Sequence, residues 1–280
     1  MKITIVRRIA VIKVIASDMD GTFLNEKGTF DENRFQGELD RLAQKQMHFV
    51  SASSNHYQHL LKTFEHVSGP ISYVCNNGAL VVDERGVIVS EDIIDHLVLR
   101  KALDWMLKTP SFFGAEIILV GRNGTYCNLP SQSKRFKASK YFYENMQSAK
   151  DLRLVFDSIY KIDITWETGG VLERQNEFNH QFSGRLSATS SGMNGLDVMN
   201  AGVTKLTGIQ SLLNDWQLSF DDVAAFGDNG NDFEMVNAAR EGYAMKNAAQ
   251  DLLAKVEHVT HLTNDEQGVQ EQIDHYLDEE

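Results

Sequence analysis

Two aspartates stand two residues apart, directly after an apolar run, in the segment Asp18-Met19-Asp20-Gly21-Thr22. Residues 11–16 form that run, which is mostly β-branched and too short for an independent helix, so it predicts a buried strand. In an extended segment, side chains at positions i and i+2 point the same way, so Asp18 and Asp20 are predicted to face one spot just beyond the strand. Open α/β sheets bind ligands at the carboxyl ends of their strands.

Two carboxylates held this close repel each other, and proteins tolerate such a pair when a cation lies between them or when a proton is shared. A bound Mg²⁺ would keep both carboxylates ionised. The segment is also compatible with an ordinary turn, in which Asp stands at the start and Gly at the sharp position. Taken alone, it leaves a functional site and a plain turn as alternatives.

The segment resembles the first motif of the haloacid dehalogenase-like phosphatase superfamily, and three further segments resemble its other motifs in the expected order. Residues 50–53, an apolar stretch that ends in a hydroxyl residue, are similar to the second motif. Lys205 is similar to the lysine of the third motif, and residues 227–232, Gly-Asp-Asn-Gly-Asn-Asp, match the fourth. A chance set of four motifs in this order is improbable, so the resemblance favours a functional site.

Two smaller segments, residues 76–79 and 244–248, resemble the Cof-like, or type IIB, sugar-phosphatase branch of that superfamily. Many members of this branch carry Thr-Gly-Arg in the second motif, whereas this chain has Ser53-Ser54-Asn55. The hydroxyl is retained, and some sugar phosphatases of the branch carry Ser-Gly-Asn, so Ser54 is the less expected residue. This departure bears on the geometry of the phosphate loop rather than on the type of reaction.

Strand and helix candidates alternate along the first part of the chain. The candidates are a strand at residues 11–16, a helix at 31–45, a strand at 47–52, a helix at 57–67, a strand at 71–74 and a hairpin that turns at 83–86. This alternation predicts an α/β fold with a doubly wound parallel sheet, which agrees with the Rossmann-like core that the resemblance implies.

None of the four motifs falls between about residue 93 and residue 190, although that stretch contains its own helix and strand candidates. This pattern indicates an inserted domain. We expect residues 1–84 and 190–280 to form the catalytic core, and residues 85–189 to form an α/β cap of the C2 type.

The resemblance implies a catalytic role for three residues. Asp18 is expected to be the nucleophile that attacks phosphorus and forms an aspartyl-phosphate, since a carboxylate is already ionised at neutral pH. Asp20 is expected to act as general acid toward the leaving alcohol, and then as general base for the water that hydrolyses the intermediate. Lys205, which by itself would be an ordinary exposed helix residue, is expected to neutralise charge on the transferring group.

The resemblance also implies residues that bind phosphate or substrate. Ser53 is expected to donate a hydrogen bond to the phosphoryl oxygens, although by itself it could be the N-cap of a helix. Gly21 would allow close approach of the backbone, and Thr22 would assist with its backbone or hydroxyl. The remaining candidates of this class are Ser54, Asn77 and Asn231.

A Mg²⁺ site is implied at the same place. Its expected ligands are Asp18, the backbone carbonyl of Asp20, and Asp228. Asp232 is either a further ligand, directly or through water, or the partner that orients Lys205. Hard oxygen ligands without histidine or cysteine suit Mg²⁺ better than zinc.

The composition indicates a globular protein, with 42% hydrophobic and 24% charged residues in 280. The formal net charge of −12 argues against nucleic acid or an anionic membrane surface as a partner. No run approaches the ~20 uncharged apolar residues of a membrane-spanning helix. Cys75 and Cys127 are two isolated cysteines, which favours buried packing and a reducing, cytoplasmic location.

Together these features predict a Mg²⁺-dependent phosphomonoester hydrolase that acts on small phosphorylated metabolites, with sugar phosphates as the favoured class. A phosphotransferase or phosphomutase that uses the same aspartyl-phosphate is one alternative. A non-enzymatic phospho-acceptor of the response-regulator type is another, but an acid/base such as Asp20 and a cap-sized insertion both argue against it.

Overall fold

The structure, a computed structural model, describes residues 12–143, 145–192 and 194–278. Residue 11, the first of the predicted opening strand, lies outside these ranges. Within them the strands are β1 (Val14–Ser17), β2 (His48–Ala52), β3 (Ile71–Cys75), β4 (Leu80–Val82), β5 (Ile88–Glu91), β6 (Glu116–Gly121), β7 (Thr125–Cys127), β8 (Met146–Ser148), β9 (Ile159–Thr165), β10 (Leu186–Gly192), β11 (Gly195–Asn200), β12 (Val223–Gly227), β13 (Glu241–Ala244) and β14 (His258–Val259). The helices are α1 (Glu32–Gln44), α2 (Tyr57–Thr63), α3 (His96–Met106), α4 (Lys134–Ser139), α5 (Val171–Gln181), α6 (Lys205–Trp216), α7 (Phe233–Ala238), α8 (Gln250–Leu253) and α9 (Gly268–Asp278).

The larger sheet has the strand order β14-β13-β12-β1-β2-β3-β4-β5. β1, β12, β13 and β14 pair in parallel, whereas β3, β4 and β5 pair antiparallel at the other edge. The predicted α/β fold is therefore confirmed, with an antiparallel edge added to the parallel strands. That edge contains the predicted hairpin, whose turn is closed by hydrogen bonds from the N–H groups of Arg85 and Val87 to the carboxylate of Asp83.

The smaller sheet lies within residues 116–200 and has the order β10-β11-β9-β6-β7-β8. Its neighbouring strands pair antiparallel except for β7 and β8, which are parallel. The predicted boundary between residues 189 and 190 falls inside β10. The division into a core and a cap stays a prediction.

Two compact units make up the described chain. The first unit comprises residues 12–50, 67–71 and 213–278, and the second comprises residues 51–66 and 72–212. Cys75 and Cys127 are both buried and neither forms a disulfide. No helix within the described ranges combines the length and apolar character needed to cross a membrane.

Four phenylalanine rings pack against one another in the first unit. The centroids of Phe23, Phe30, Phe35 and Phe49 lie 4.7–5.6 Å from their neighbours in the cluster, mostly in edge-on or tilted arrangements. Such contacts add to the free energy of burial. Because Phe23 directly follows Thr22, this cluster anchors the segment that carries the first two aspartates.

The predicted helices differ from the observed ones mainly at their ends. α1 begins one residue after Asp31, whose side chain accepts a hydrogen bond from the N–H of Arg34 and so caps the helix. α2 ends at Thr63, four residues before the predicted end. Leu60 is the one buried residue of α2, and beyond the buried C-cap residue Phe64 the chain at 65–67 is exposed or half-buried, so little apolar contact is available to extend this helix.

Candidate active site

The loop after β1 carries the first two aspartates. β1 is buried along its whole length, and the N–H of Asp18 donates to the carbonyl of Phe226 at 3.0 Å, which continues the pairing of β1 with β12. The chain then turns, and the N–H of Thr22 donates to the carbonyl of Met19 at 3.2 Å. The side chain of Asp18 is buried at the end of the strand, whereas that of Asp20 is exposed.

Three carboxylates converge in the first unit. Asp18, Asp228 and Asp232 each contribute one oxygen atom, and these atoms lie within 4.8 Å of one another. Asp18 and Asp232 are buried and Asp228 is half-buried. Negative charges this close repel one another most strongly away from bulk water, and a cation or a shared proton relieves the repulsion. We refer to these three residues as the acidic cluster.

The acidic cluster fits a Mg²⁺ ion. Its donors are carboxylate oxygens, the hard ligands that Mg²⁺ binds in proteins, and the ion commonly keeps water at its other positions. The group contains neither histidine nor cysteine, which would favour zinc. Asp20 is not one of the three side chains, so its predicted role as a ligand rests on its backbone carbonyl.

Asp232 also determines the shape of the loop after β12. Its Oδ2 accepts hydrogen bonds from the N–H groups of Asp228 and Asn229, both at 3.0 Å. Gly227 makes room for this arrangement, because a Cβ atom there would lie 2.3 Å from the Cβ of Asp232. Asn231 lies half-buried in the same loop. Asp232 therefore fixes the backbone that presents Asp228, in addition to placing its own carboxylate in the acidic cluster.

Gly21 and Thr22, two of the predicted phosphate-binding residues, lie against Asp228. Gly21 has a φ of +81°, and a Cβ atom there would lie 2.5 Å from Oδ2 of Asp228. Only glycine adopts such a conformation without strain. Thr22 is fully buried, and its hydroxyl donates to Oδ1 of Asp228 at 3.3 Å.

Two asparagines that sequence reasoning did not assign a role hold this loop. The side chain of Asn247 donates to the carbonyl of Gly21 at 2.8 Å, and its Oδ1 accepts from the N–H of Asn264 at 3.0 Å. The side chain of Asn264 in turn donates to the carbonyl of Leu24 at 2.9 Å. Asn247 lies in a segment that resembles the Cof-like branch, which was a usable signal. Nothing in the sequence around Asn264 indicates its role.

In the second unit, two loops carry the predicted binding residues. Ser53 is buried, its N–H donates to the carbonyl of Val74 at 2.8 Å, and its Oγ accepts from the N–H of Asn55 at 3.0 Å. With that bond accepted, the hydroxyl proton can serve as a donor. Ser54 is half-buried. The N–H of Asn77 donates to the carbonyl of Ser53 at 2.9 Å, so the loops after β2 and β3 are joined.

Asn77 lies in strained backbone. It has a φ of +56°, and Asn76 before it has a φ of +50°, both in the left-handed region that favours glycine. Strain of this kind persists where surrounding contacts fix the conformation, often at functional sites. The side chain of Asn77 is buried and donates to Oδ2 of Asp197 at 2.9 Å. Burial raises the pKa of Asp197, and its ion pair with Lys161 opposes that rise.

Lys205 is the first residue of α6, and its side chain is only 1% exposed. The start of this helix lies unusually close to the loop after β3. A Cβ atom on Gly78, which has a φ of +107°, would lie 2.1 Å from the carbonyl oxygen of Thr204. A Cβ atom on Gly208 would lie 2.5 Å from Val74. These two glycines set the position from which Lys205 extends. Gly78 lies in the segment 76–79 that resembles the Cof-like branch, whereas nothing in the sequence around Gly208 indicates its role.

This chain is similar to known proteins along most of its length. A family model described as haloacid dehalogenase-like hydrolase matches residues 15–273. SMU.1108c from Streptococcus mutans UA159, whose crystal structure is known, is 31% identical with a TM-score of 0.87, over 96% of this chain and 100% of that one. The 5-amino-6-(5-phospho-D-ribitylamino)uracil phosphatase YbjI of Escherichia coli (strain K12) is 27% identical over 277 residues, 96% of this chain and 97% of that protein. An HMP-PP phosphatase of Escherichia fergusonii is 24% identical over 275 residues, 95% of this chain and 96% of that protein.

The family match includes the segments that contain the acidic cluster, Ser53, Asn77 and Lys205. It spans well over half of the chain, and the relatives align along nearly their whole lengths. The predicted resemblance is confirmed: this chain belongs to the haloacid dehalogenase-like hydrolase family, as one of its phosphatases.

Proposed function

We propose that this phosphatase is a Mg²⁺-dependent phosphomonoester hydrolase that acts on small phosphorylated metabolites, with sugar phosphates as the favoured class, through an aspartyl-phosphate intermediate. The observation that carries the proposal is the acidic cluster, in which three carboxylates lie within 4.8 Å of one another at the ends of two parallel strands. The carboxylate oxygens of such a cluster are suited to hold a Mg²⁺ ion, and the ends of parallel strands are where open α/β sheets bind their ligands.

In the first step, an oxygen of Asp18 forms a bond to phosphorus, and the bond between phosphorus and the ester oxygen breaks. Asp20 donates a proton to the leaving oxygen, so the alcohol departs neutral. In the second step, Asp20 accepts a proton from water as the water oxygen attacks phosphorus, which releases inorganic phosphate and regenerates the Asp18 carboxylate. The exposed side chain of Asp20 is suited to exchange protons with substrate and solvent.

The remaining residues bind charge. Ser53 donates its hydroxyl proton to a phosphoryl oxygen, and Lys205 neutralises charge on the transferring group. Ser54 and Asn231 contribute to the phosphate loop, Gly21 and Thr22 supply backbone groups, and Asn77 contacts the substrate.

Asp18, Asp228 and the backbone carbonyl of Asp20 would hold the Mg²⁺ ion, with Asp232 as a further ligand directly or through water. When bound, the ion supplies positive charge that balances the carboxylates and the phosphoryl oxygens. Asp232 already orients the backbone of Asp228 through its two accepted hydrogen bonds, so one carboxylate serves both the loop and the ion.

The choice of substrate class draws on the relatives. One is named a 5-amino-6-(5-phospho-D-ribitylamino)uracil phosphatase and another an HMP-PP phosphatase, and both names denote small phosphorylated compounds. We further propose that residues 85–189 act as the cap that excludes bulky substrates, nucleic acid and bulk water. A cytoplasmic location is part of the same proposal.

The test is phosphate release from sugar phosphates, nucleotides, a phosphoribityl compound and p-nitrophenyl phosphate, with Mg²⁺ or with EDTA. The native protein is compared with Asp18→Asn, and with Asp215→Asn as a control that neutralises an exposed carboxylate on α6. We expect release that requires Mg²⁺, that is lost in Asp18→Asn and that is retained in the control.

Two results would overturn the proposal. Release that persists in Asp18→Asn would exclude Asp18 as the nucleophile. Loss of the phosphoryl group from the ester only when a sugar is added as acceptor, with the group found on a hydroxyl of that sugar and no inorganic phosphate released, would identify a phosphotransferase instead.

A further inference from the structure

A buried ion pair joins two adjacent strands of the smaller sheet in the second unit. Nζ of Lys161 on β9 lies 2.9 Å from Oδ1 of Asp197 on β11. Lys161 is 2% exposed and Asp197 is 1% exposed. Charged side chains are almost never this buried unless they are paired.

Each member of the pair also reaches one of the loops that carry the predicted binding residues. Nζ of Lys161 donates to the backbone carbonyl of Ser54 at 2.9 Å. Oδ2 of Asp197 accepts from the side-chain amide of Asn77 at 2.9 Å. We refer to Lys161, Asp197, Asn77 and Ser54 as the lysine–aspartate network.

Stability is a weak explanation for such a pair. Removing two charges from water costs about as much as their attraction returns, and apolar residues of similar volume often serve a core equally well. On the face of the sheet that carries Lys161 and Asp197, Ile118 and Val120 of β6 are buried and apolar. Val120 lies directly opposite Lys161, so an apolar side chain at residue 161 would also find partners there. The contacts of the pair to the two loops offer a better account of its presence.

We propose that Lys161 and Asp197 are positioning residues that hold Ser53 and Asn77 in the orientation needed to bind the phosphate ester. The inference rests on the proposed function, in which Ser53 contacts the phosphoryl oxygens and Asn77 contacts the substrate. Neither Lys161 nor Asp197 needs to touch the substrate to act in this way.

Lys161 acts on Ser53 through one peptide group. The carbonyl of Ser54 and the N–H of Asn55 belong to the same peptide plane, so the bond from Lys161 at one end fixes the direction of the N–H at the other. That N–H donates to Oγ of Ser53. A cation at the carbonyl polarises the peptide, which strengthens the N–H donor and, through Oγ, the donor strength of the serine hydroxyl. Lys161 thus strengthens the hydrogen bond that Ser53 donates to the phosphate, without itself touching the phosphate.

Asp197 acts on Asn77 by fixing its amide. A carboxylate accepts only, so it holds the NH₂ end of the amide toward itself and determines the side on which Oδ1 lies. The positive φ of Asn77 makes this contact more important, since the backbone there is strained and needs fixed neighbours. Lys161 in turn balances the charge of Asp197, so one ion pair fixes the orientation of both loops.

The test uses the full chain with the single variants Lys161→Met and Asp197→Asn and the double variant Lys161→Met/Asp197→Leu. We expect Lys161→Met to lower kcat, and Asp197→Asn to raise KM, each by about 10- to 100-fold, the value of one charge-assisted hydrogen bond. The double variant leaves no unpaired buried charge, so we expect it to fold, although less stably than the native protein because the Asn77 amide and the Ser54 carbonyl lose these hydrogen bonds, and we expect it to show both losses. It keeps the test decisive if a single variant with an unpaired buried charge fails to fold.

Arg135→Met is the matched control. Arg135 also donates to backbone carbonyls of the same unit, those of Gly114 and Thr165, at 3.1 and 2.7 Å, but these carbonyls are not in the two loops. We expect the control to lose stability without a change in kcat or KM. A double variant with native kcat and KM would overturn the inference, because it would show that the pair is only structural.

A second measurement separates this inference from the proposed function. The amide N–H of Asn55 and the side-chain NH₂ of Asn77 report the network directly by NMR, whether or not the protein hydrolyses any ester. We expect both signals to move upfield in the double variant and to stay unchanged in Arg135→Met. Unchanged signals would overturn the inference even if hydrolysis is established, whereas moved signals with no hydrolysis by the native protein would leave the network intact and reject the function.

Discussion

The acidic cluster and the lysine–aspartate network differ in their charge: the first groups carboxylates of the same sign, whereas the second pairs a cation with an anion. The acidic cluster gathers three carboxylates within 4.8 Å, and the proposed function places an ion from solution beside them. The network buries one cation and one anion 2.9 Å apart, so its charge is balanced within the chain. A group that needs an external ion responds to the concentration of that ion, whereas a self-balanced pair does not.

The two regions also differ in how they are supported. The loop of the acidic cluster is held partly by itself, since Asp232 accepts from the N–H groups of its own neighbours. The loops that contain Ser54 and Asn77 depend on side chains more than 100 residues away in sequence, Lys161 and Asp197. The first arrangement is visible as a motif, and the second requires the tertiary fold.

The largest expected effect tests the first half of this comparison. Asp228→Asn removes one of the three charges, so we expect phosphatase activity to fall by about 100- to 1000-fold. Mg²⁺ should raise the unfolding midpoint of the native protein and should no longer do so in this variant. Denaturant unfolding with and without Mg²⁺ measures the shift. Asp197→Asn is the control from the network, and it should keep the Mg²⁺-dependent shift; loss of the shift there would contradict the separation of the two regions.

The sequence was informative wherever chemistry follows a strand directly. The apolar run before Asp18 and the glycine and aspartates of residues 227–232 predicted the strands and the polar residues at their ends. The rule of alternating side chains did not extend beyond the strand, because β1 ends at Ser17 and the chain turns at Met19. Asp18 and Asp20 accordingly differ in burial.

Support from distant residues could be predicted only in part. Lys161 and Asp197 interrupt apolar strands, which signals a buried partner for each. Which residues they pair with depends on the register of β9 against β11 and on the approach of the loops that contain Ser54 and Asn77. Those relations are set by tertiary packing, so no local pattern in the sequence encodes them.

The next largest effect tests the support of Lys205. Gly78→Ala would place a Cβ atom 2.1 Å from the backbone oxygen of Thr204, at a φ of +107°. Because backbone cannot yield as a side chain can, we expect a loss of about 3 kcal/mol in the free energy of unfolding. Gly114→Ala, with a φ of +76° and no atom within 4 Å, isolates the cost of the conformation alone. Equal losses in the two variants would show that the close approach to α6 is not rigid.

A third measurement assigns to Glu38 a pH dependence of stability that could otherwise be attributed to the acidic cluster. Burial raises the pKa of Glu38 in α1 from 4.5 to about 8, despite its ion pair with Arg34. The folded state then binds this proton more tightly than the unfolded state, so its contribution to stability is full below about pH 4.5 and is lost as the pH rises to about 8. The native protein should lose on the order of 4 kcal/mol of unfolding free energy over that range. Urea unfolding of Glu38→Gln should give a flatter profile, and that of Glu32→Gln, at an exposed position of the same helix, should follow the native one; a steep profile in Glu38→Gln would assign the effect elsewhere.

The smallest expected change in stability gives the sharpest test of the acidic cluster. Gly21 and Gly86 have φ values of +81° and +77°, so alanine at either position should cost about 1 kcal/mol through backbone strain. The two positions differ in what a Cβ atom would meet, which is Oδ2 of Asp228 at 2.5 Å for Gly21 and nothing within 4 Å for Gly86. A carboxylate at the end of a side chain can move aside, so Gly21→Ala should displace Asp228 at little further cost in stability. We therefore expect similar unfolding midpoints without Mg²⁺, but a Mg²⁺ titration of activity shifted to higher concentration in Gly21→Ala alone. If both variants titrate like the native protein, the position of Asp228 does not control metal binding.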